Sequence, residues 1–351
     1  VSTNATVVAE SPLSGKTQVA PLRVFSTCPS SLTTPDDYIT RVAAASRWSE
    51  AAGCTGILIY TDNTLVDPWL VSQIVIENTG SLCPLVAVQP VYMHPYSVAK
   101  MVTTLGCLYN RRVFLNMVAG GFKNDLIALN DTTPHDSRYQ RLVEYVRIIQ
   151  CLLEENGPVN FAGQFYQVRN LTLTPRLQLG LHPGFLMSGS SDAGRQAAHE
   201  TGAIAVEYPE PPAKYDPGSQ THTDLRGIRI GILTRPREED AWAIALERFP
   251  ETRKGQLTRQ MATKVSDSVW HHRLSEISGG GTEHETYWLR PFENYQSNCP
   301  YLVGSYENVT HELSRYVELG YRTLILDIPA SAEDLEHIGI VLHGTVQRMR
   351  V

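Results

Sequence analysis

Short apolar runs alternate with amphipathic stretches along most of the chain. Continuous apolar runs predict strands covered on both faces, the signature of a parallel sheet. On this pattern the strands fall at residues 23–28, 56–60, 85–88, 113–118, 184–188, 203–207, 228–234 and 322–328. Helices are predicted over 35–52, 68–76, 95–108, 138–155, 192–200, 238–249 and 306–319. In the long helix, Leu142, Tyr145, Val146, Ile149, Leu152 and Leu153 form one apolar stripe. Residues 159–168 alternate around Gly163 and predict a β-hairpin laid over the sheet. Eight strands, mostly followed by helices, predict an α/β chain folded as a (β/α)8 TIM barrel with insertions. The alternative, a doubly wound open sheet, loses its main support because no G-x-G-x-x-G follows the first strand.

Two segments break the rhythm. Residues 1–20 are polar and rich in Ser, Thr and Ala, and read as a disordered lead-in without the basic start and apolar middle of a signal peptide. Residues 21–351 then form a single barrel domain, within which 255–300 read as a mobile lid over the mouth, with Gly279-Gly280-Gly281 and adjacent His271 and His272.

Composition narrows the function classes. With 351 residues the chain can bury a large core, and a formal charge of -6 argues against nucleic acid as partner. No apolar run approaches the ~18 residues a membrane span needs. The six cysteines form no C-x-x-C and read as free thiols of a reducing, cytoplasmic compartment. No metal set is expected: adjacent His271 and His272 would splay about 100° apart on a helix.

Motifs of self-sufficient catalysis such as G-x-S-x-G and H-E-x-x-H do not occur. One local feature has a clear physical use. Ser188-Gly189-Ser190-Ser191-Asp192 lies between an apolar run and a helix start, where small residues, hydroxyls and free N–H groups suit an anion such as phosphate.

Around this feature the sequence resembles the bacterial luciferase-like flavin monooxygenases, most of all their alkanesulfonate monooxygenase branch. The resemblance spans about residues 23–347. It rests on Thr55-Gly56-Ile57-Leu58-Ile59 followed by Asp67-Pro68-Trp69-Leu70-Val71, on His94-Pro95, and on the run from Arg112 to Gly121. His135-Asp136-Ser137-Arg138-Tyr139, the hairpin Asn160–Tyr166, Gly189-Ser190-Ser191 and Glu210-Pro211-Pro212 follow in order.

The resemblance implies a two-component monooxygenase. It would receive reduced FMN from a separate NAD(P)H flavin reductase and use O2 to oxygenate a small organic substrate, such as an intermediate of natural product biosynthesis. It also implies a homodimer or homotetramer. Gln89, Asn116, His135, Tyr139, Gly189, Ser190 and Ser191 would hold the flavin. Departures from the alkanesulfonate pattern argue against a simple alkanesulfonate: a Cys is replaced by Leu65, a His by Gly231, a Tyr and a His by Ile328 and Ala330, and a lid Arg by about Tyr295. Tyr60, Leu65, Tyr92, Tyr208 and Ile328 would then line a more aromatic substrate pocket. Arg229 and Arg290 are candidate anion clamps, and His271 and His272 candidate acids or bases. Two alternatives remain open at this point: a deazaflavin-dependent hydride-transfer enzyme, and a non-catalytic flavin- or partner-binding barrel.

Overall fold

Eight parallel strands close into a barrel in the order β1 (Arg23–Thr27), β13 (Thr323–Ile325), β9 (Arg226–Arg229), β8 (Ile204–Glu207), β7 (Gly184–Ser188), β4 (Phe114–Val118), β3 (Cys83–Val88) and β2 (Gly56–Ile59). This is the computed structural model of the chain, and it describes residues 21–31, 34–120, 122–154, 157–215, 226–251, 253, 255–257 and 285–349. The lead-in over 1–20, the glycine triplet, His271 and His272 lie outside the described residues. Each barrel strand corresponds to one of the eight apolar runs.

The apolar runs become strands because both faces are covered. Inside, Phe25 and Phe114 meet edge to face at 5.1 Å, packed with Leu58, Leu85, Leu186, Ile204, Val206 and Ile325. Gly184 is required by this layer, since a Cβ there would enter the Phe114 ring. Outside, helices α1 (Pro35–Ala51), α2 (Pro68–Glu77), α3 (Pro95–Tyr109), α5 (His135–Glu154) and α6 (Asp192–Thr201) follow their strands. A short α4 (Lys123–Ala128) precedes α5. Side chains that accept the first free N–H groups start several of these helices: Thr34 for α1, Asp67 for α2, His94 for α3 and Ser191 for α6. The hairpin of β5 (Val159–Ala162) and β6 (Gln167–Leu171) forms as expected. Its turn is fastened to α5 by the Glu144 carboxylate, which accepts from the N–H groups of Gln164, Phe165 and Tyr166 at 2.7–3.0 Å. Among the described residues no helix is long and apolar enough to cross a membrane.

The seventh strand departs from expectation. Residues 228–234 are not one strand: the barrel keeps β9 up to Arg229, and the chain then leaves it. Ile230 N still bonds to Ile325 O, but Gly231 N bonds to Pro300 O at 2.8 Å. From there β10 (Gly231–Arg235) pairs in parallel with β12 (Tyr301–Ser305), which pairs antiparallel with β11 (Tyr287–Trp288). This outer sheet packs against α7 (Glu238–Arg248) through Trp242, Phe249, Tyr301 and Val303. Helices α9 (Tyr306–Glu318) and α10 (Ala332–Arg348) complete the ring.

Part of the segment read as a lid lies among the described residues. Its end is folded: β11, the short α8 (Arg290–Glu293) and the turn that follows return the chain to the barrel mouth.

At the opposite end of the barrel, the turn at Gly80–Leu82 is gripped twice. Arg111 donates to the carbonyls of Thr79, Gly80 and Leu82, and the Glu50 carboxylate accepts from the N–H groups of Gly80, Ser81 and Leu82. Burial alone would push the Glu50 carboxyl up, but these bonds outweigh it and hold it at about 2. A depressed carboxyl stabilises the fold above its unfolded pKa, and that contribution disappears as pH falls toward 2. Glu50→Gln is therefore expected to flatten the loss of stability between about pH 5 and pH 2. Because water screens this site, the effect is about 1 kcal/mol, read by urea unfolding at several pH values. Parallel curves for both proteins would contradict it.

Candidate functional site

The C-terminal ends of the barrel strands surround one large cavity of about 470 Å³. That lies within the roughly 300–1,000 Å³ typical of a small-ligand or cofactor site.

One corner is built by β4, α5, β7 and the start of α6. Asn116 lies in β4, buried, with its Oδ1 accepting from Ser188 Oγ at 2.9 Å. Gly189 passes directly under Tyr139, and a Cβ at 189 would enter the Tyr139 hydroxyl. The Tyr139 hydroxyl is hydrogen-bonded to Ser191, and burial raises its pKa. Ser191 caps α6, accepting from Gly194 N at 3.1 Å. Ser190 is 6% exposed and lines the cavity, yet its buried Oγ has no partner among the described residues. A buried hydroxyl without a partner is costly, so a ligand oxygen at this point would relieve it.

Arg138, 5% exposed, reaches the same corner and donates to Thr133 O at 3.2 Å. His135 lies beside it, its Nδ1 2.7 Å from Asp136 and its ring 5.2 Å from that of Tyr139. A helix start, hydroxyls, a close-approach glycine and a guanidinium together have the chemistry to bind a phosphate group.

The opposite wall comes from β1, β2, β8 and β9. Arg229 ends β9, with its guanidinium 5.6 Å from the centre of the Tyr60 ring and donating to the Tyr208 hydroxyl. Its Nε is buried without a partner, and among the described residues it forms no ion pair with a carboxylate. Burial disfavours its charge, but Tyr208, Cys299, Asp327 and Tyr60 around it outweigh this and raise its pKa. A guanidinium facing a cavity without a paired carboxylate is a receptor for an anionic group. The Tyr60 hydroxyl pairs with Ser30 Oγ, and burial raises its pKa.

Leu65 stands between this cavity and a side pocket of about 290 Å³. That pocket, walled also by Trp69 and Met93, receives Gln89 and Tyr92. Gln89 Nε2 reaches Thr61 O and the Tyr92 hydroxyl, both at 3.4 Å.

Two expected residues stand elsewhere. Ile328 is exposed and lines neither space. Arg290 is drawn outward to Glu251 at 3.5 Å and lies 5.7 Å from the centre of the Trp288 ring, away from the cavity lining. Sequence reasoning passed over Arg138, Ser30 and Asp327. Arg138 was legible as the charged neighbour of Tyr139 in the quoted motif. Asp327 was legible as the lone charge closing the apolar run Leu324-Ile325-Leu326.

Comparison with known proteins agrees with this architecture. The sequence pattern of the family described as luciferase-like monooxygenase matches residues 23–323. A 4-(gamma-L-glutamylamino)butanoyl-[BtrI acyl-carrier protein] monooxygenase, BtrO, of Niallia circulans is 33% identical over 314 residues, covering 88% of this chain and 92% of the relative. Among solved structures, a riboflavin lyase holding modified FMN and riboflavin is 16% identical with a TM-score of 0.69, over 94% of this chain and 92% of that one. A secondary alcohol dehydrogenase dependent on coenzyme F420 is 14% identical with a TM-score of 0.59, over 93% of this chain and 99% of that one. At these identities the structures share the fold alone.

Proposed function

We propose that this chain, which belongs to the luciferase-like monooxygenase family, is a two-component enzyme that takes reduced FMN from a separate NAD(P)H-dependent reductase and uses dioxygen to oxygenate an organic substrate bearing a carboxylate. The observation that carries the cofactor reading is the unpartnered Ser190 hydroxyl, buried in the cavity wall beside Arg138, Tyr139 and the start of α6. These residues fit a flavin phosphate.

Bound there, reduced FMN supplies the electrons with which dioxygen is activated. The chain's own residues bind, orient and shield. Arg138, Ser190 and the free N–H groups of α6 hold the phosphate. Asn116, fixed by Ser188, presents an amide that both donates and accepts to the ring edge. Leu58, Val118, Val206 and Ile325 keep that part of the cavity apolar and exclude water. Arg229, with Tyr60 and Tyr208, orients the substrate through its anionic group.

The relative's acyl group suggests a first candidate. Its γ-glutamyl end carries a free carboxylate, and it is delivered on a carrier protein. Incubation with a flavin reductase, NADH, FMN, labelled dioxygen and a panel of acyl thioesters is expected to place one labelled oxygen in the product. Free carboxylates should be preferred over their methyl esters about tenfold, and Arg229→Met should abolish that preference. Oxidation of reduced FMN to hydrogen peroxide alone, with no labelled product across the panel, would contradict the reading.

A further inference from the structure

The rim of the cavity between α8 and β12 is formed by Tyr295, Gln296, Ser297 and Asn298. Two features make this turn costly. Tyr295 adopts a left-handed backbone with φ of 55°, unusual for an aromatic residue, while the residue is 47% exposed. Asn294 beside it is 2% exposed, and among the described residues neither its Oδ1 nor its Nδ2 has a partner. A segment carrying two such costs needs an opposing anchor.

The anchor is a carboxylate at the end of the eighth barrel strand. Asp327 Oδ2 accepts from Ser297 Oγ at 2.6 Å and from Tyr301 Oη at 2.7 Å, while its Oδ1 accepts from Ile328 N at 2.9 Å. Ser297 Oγ in turn receives the Cys299 N–H at 3.2 Å. One carboxylate thus joins the barrel strand end, the cavity rim and the outer sheet. Charge-assisted bonds of this kind are about twice as strong as neutral ones.

We infer that Asp327 is a positioning residue that clasps the rim Tyr295–Asn298 over the cavity through Ser297, and so keeps water from the reacting end of the site. The clasp itself follows from the hydrogen bonds; its effect on turnover rests on the proposed function.

The two bonds to Oδ2 give a test with an internal control. Ser297→Ala removes the rim bond and leaves Tyr301 in place. Tyr301→Phe removes the other bond to the same oxygen and leaves the rim fastened. Amide hydrogen exchange of the full chain is expected to quicken at least tenfold over residues 295–298 in Ser297→Ala and in Asp327→Ala. It should stay near wild type in Tyr301→Phe and in Ser297→Thr, which restores the hydroxyl. With reduced FMN and oxygen but no substrate, Ser297→Ala should release hydrogen peroxide about tenfold faster than wild type, while its affinity for reduced FMN changes less than twofold.

Unchanged exchange in Ser297→Ala, or equal quickening in Tyr301→Phe, would overturn the clasp. Quickened exchange with unchanged peroxide release in a protein that binds reduced FMN would overturn its role in excluding water. Failure of wild type to bind reduced FMN would instead overturn the proposed function and leave the exchange result standing.

Discussion

Arg138→Ala is expected to weaken reduced FMN about 10- to 100-fold while leaving reduced riboflavin within twofold. The guanidinium lies almost fully buried in the corner where Ser190, Ser191, Gly189 and Tyr139 converge. A charge-assisted hydrogen bond to a phosphate contributes about 1.5–3 kcal/mol, which sets that range. Riboflavin lacks the phosphate and should not sense the change. Ser190→Ala removes a hydroxyl that bonds nothing among the described residues, so its folding cost is small. It should weaken FMN about threefold to tenfold with the same indifference to riboflavin. Anaerobic titrations followed by tryptophan fluorescence read both. Equal losses for FMN and riboflavin would mean that the corner serves the fold rather than the phosphate.

The largest effect on stability is expected at Asp334, which does not line the cavity. It is 4% exposed at the start of α10, and its two oxygens take Arg235 and Arg248, each at 2.6 Å. Ser331 caps the helix by accepting from Asp334 N at 3.1 Å. The carboxylate therefore fastens α10 to both the outer sheet and α7. Removing one partner of a buried ion pair leaves uncompensated charge, and here Arg235 is buried as well. Asp334→Ala should lose about 3–5 kcal/mol in chemical unfolding. Flavin affinity of the remaining folded protein should be unchanged. A loss below about 1 kcal/mol would place this pair with ordinary surface bridges.

The barrel was legible because its strands are covered on both faces. Runs such as Gly56–Ile59 are apolar without interruption, and each of the four residues is buried. The outer sheet was not, for two physical reasons. Residues 228–234 look like one strand, and only the departure of Gly231 toward Pro300 O divides them. Residues 301–305 form a strand as apolar as the others, but they follow a segment without periodicity and pair outside the barrel.

The corner proposed to hold the phosphate was legible in part. Gly189-Ser190-Ser191 stands between strand and helix, and the resemblance supplied Tyr139 and Asn116. Arg138 went unread because position 138 also opens a helical stripe, where an arginine is ordinarily solvated. Asp327 went unread because its partners Ser297 and Tyr301 lie 30 and 26 residues away, and no local pattern joins them. Ile328 and Arg290 show the converse: both fall near the right place in sequence, but their side chains turn outward.

The central claim is that the cavity is a receptor for reduced FMN. Anaerobic titration of the full chain with reduced FMN, oxidised FMN and reduced deazaflavin, followed by tryptophan fluorescence, tests it most directly. Low-micromolar binding of reduced FMN, clearly tighter than oxidised FMN and than the deazaflavin, is the predicted result. Preference for the deazaflavin, or binding of neither flavin, would contradict it.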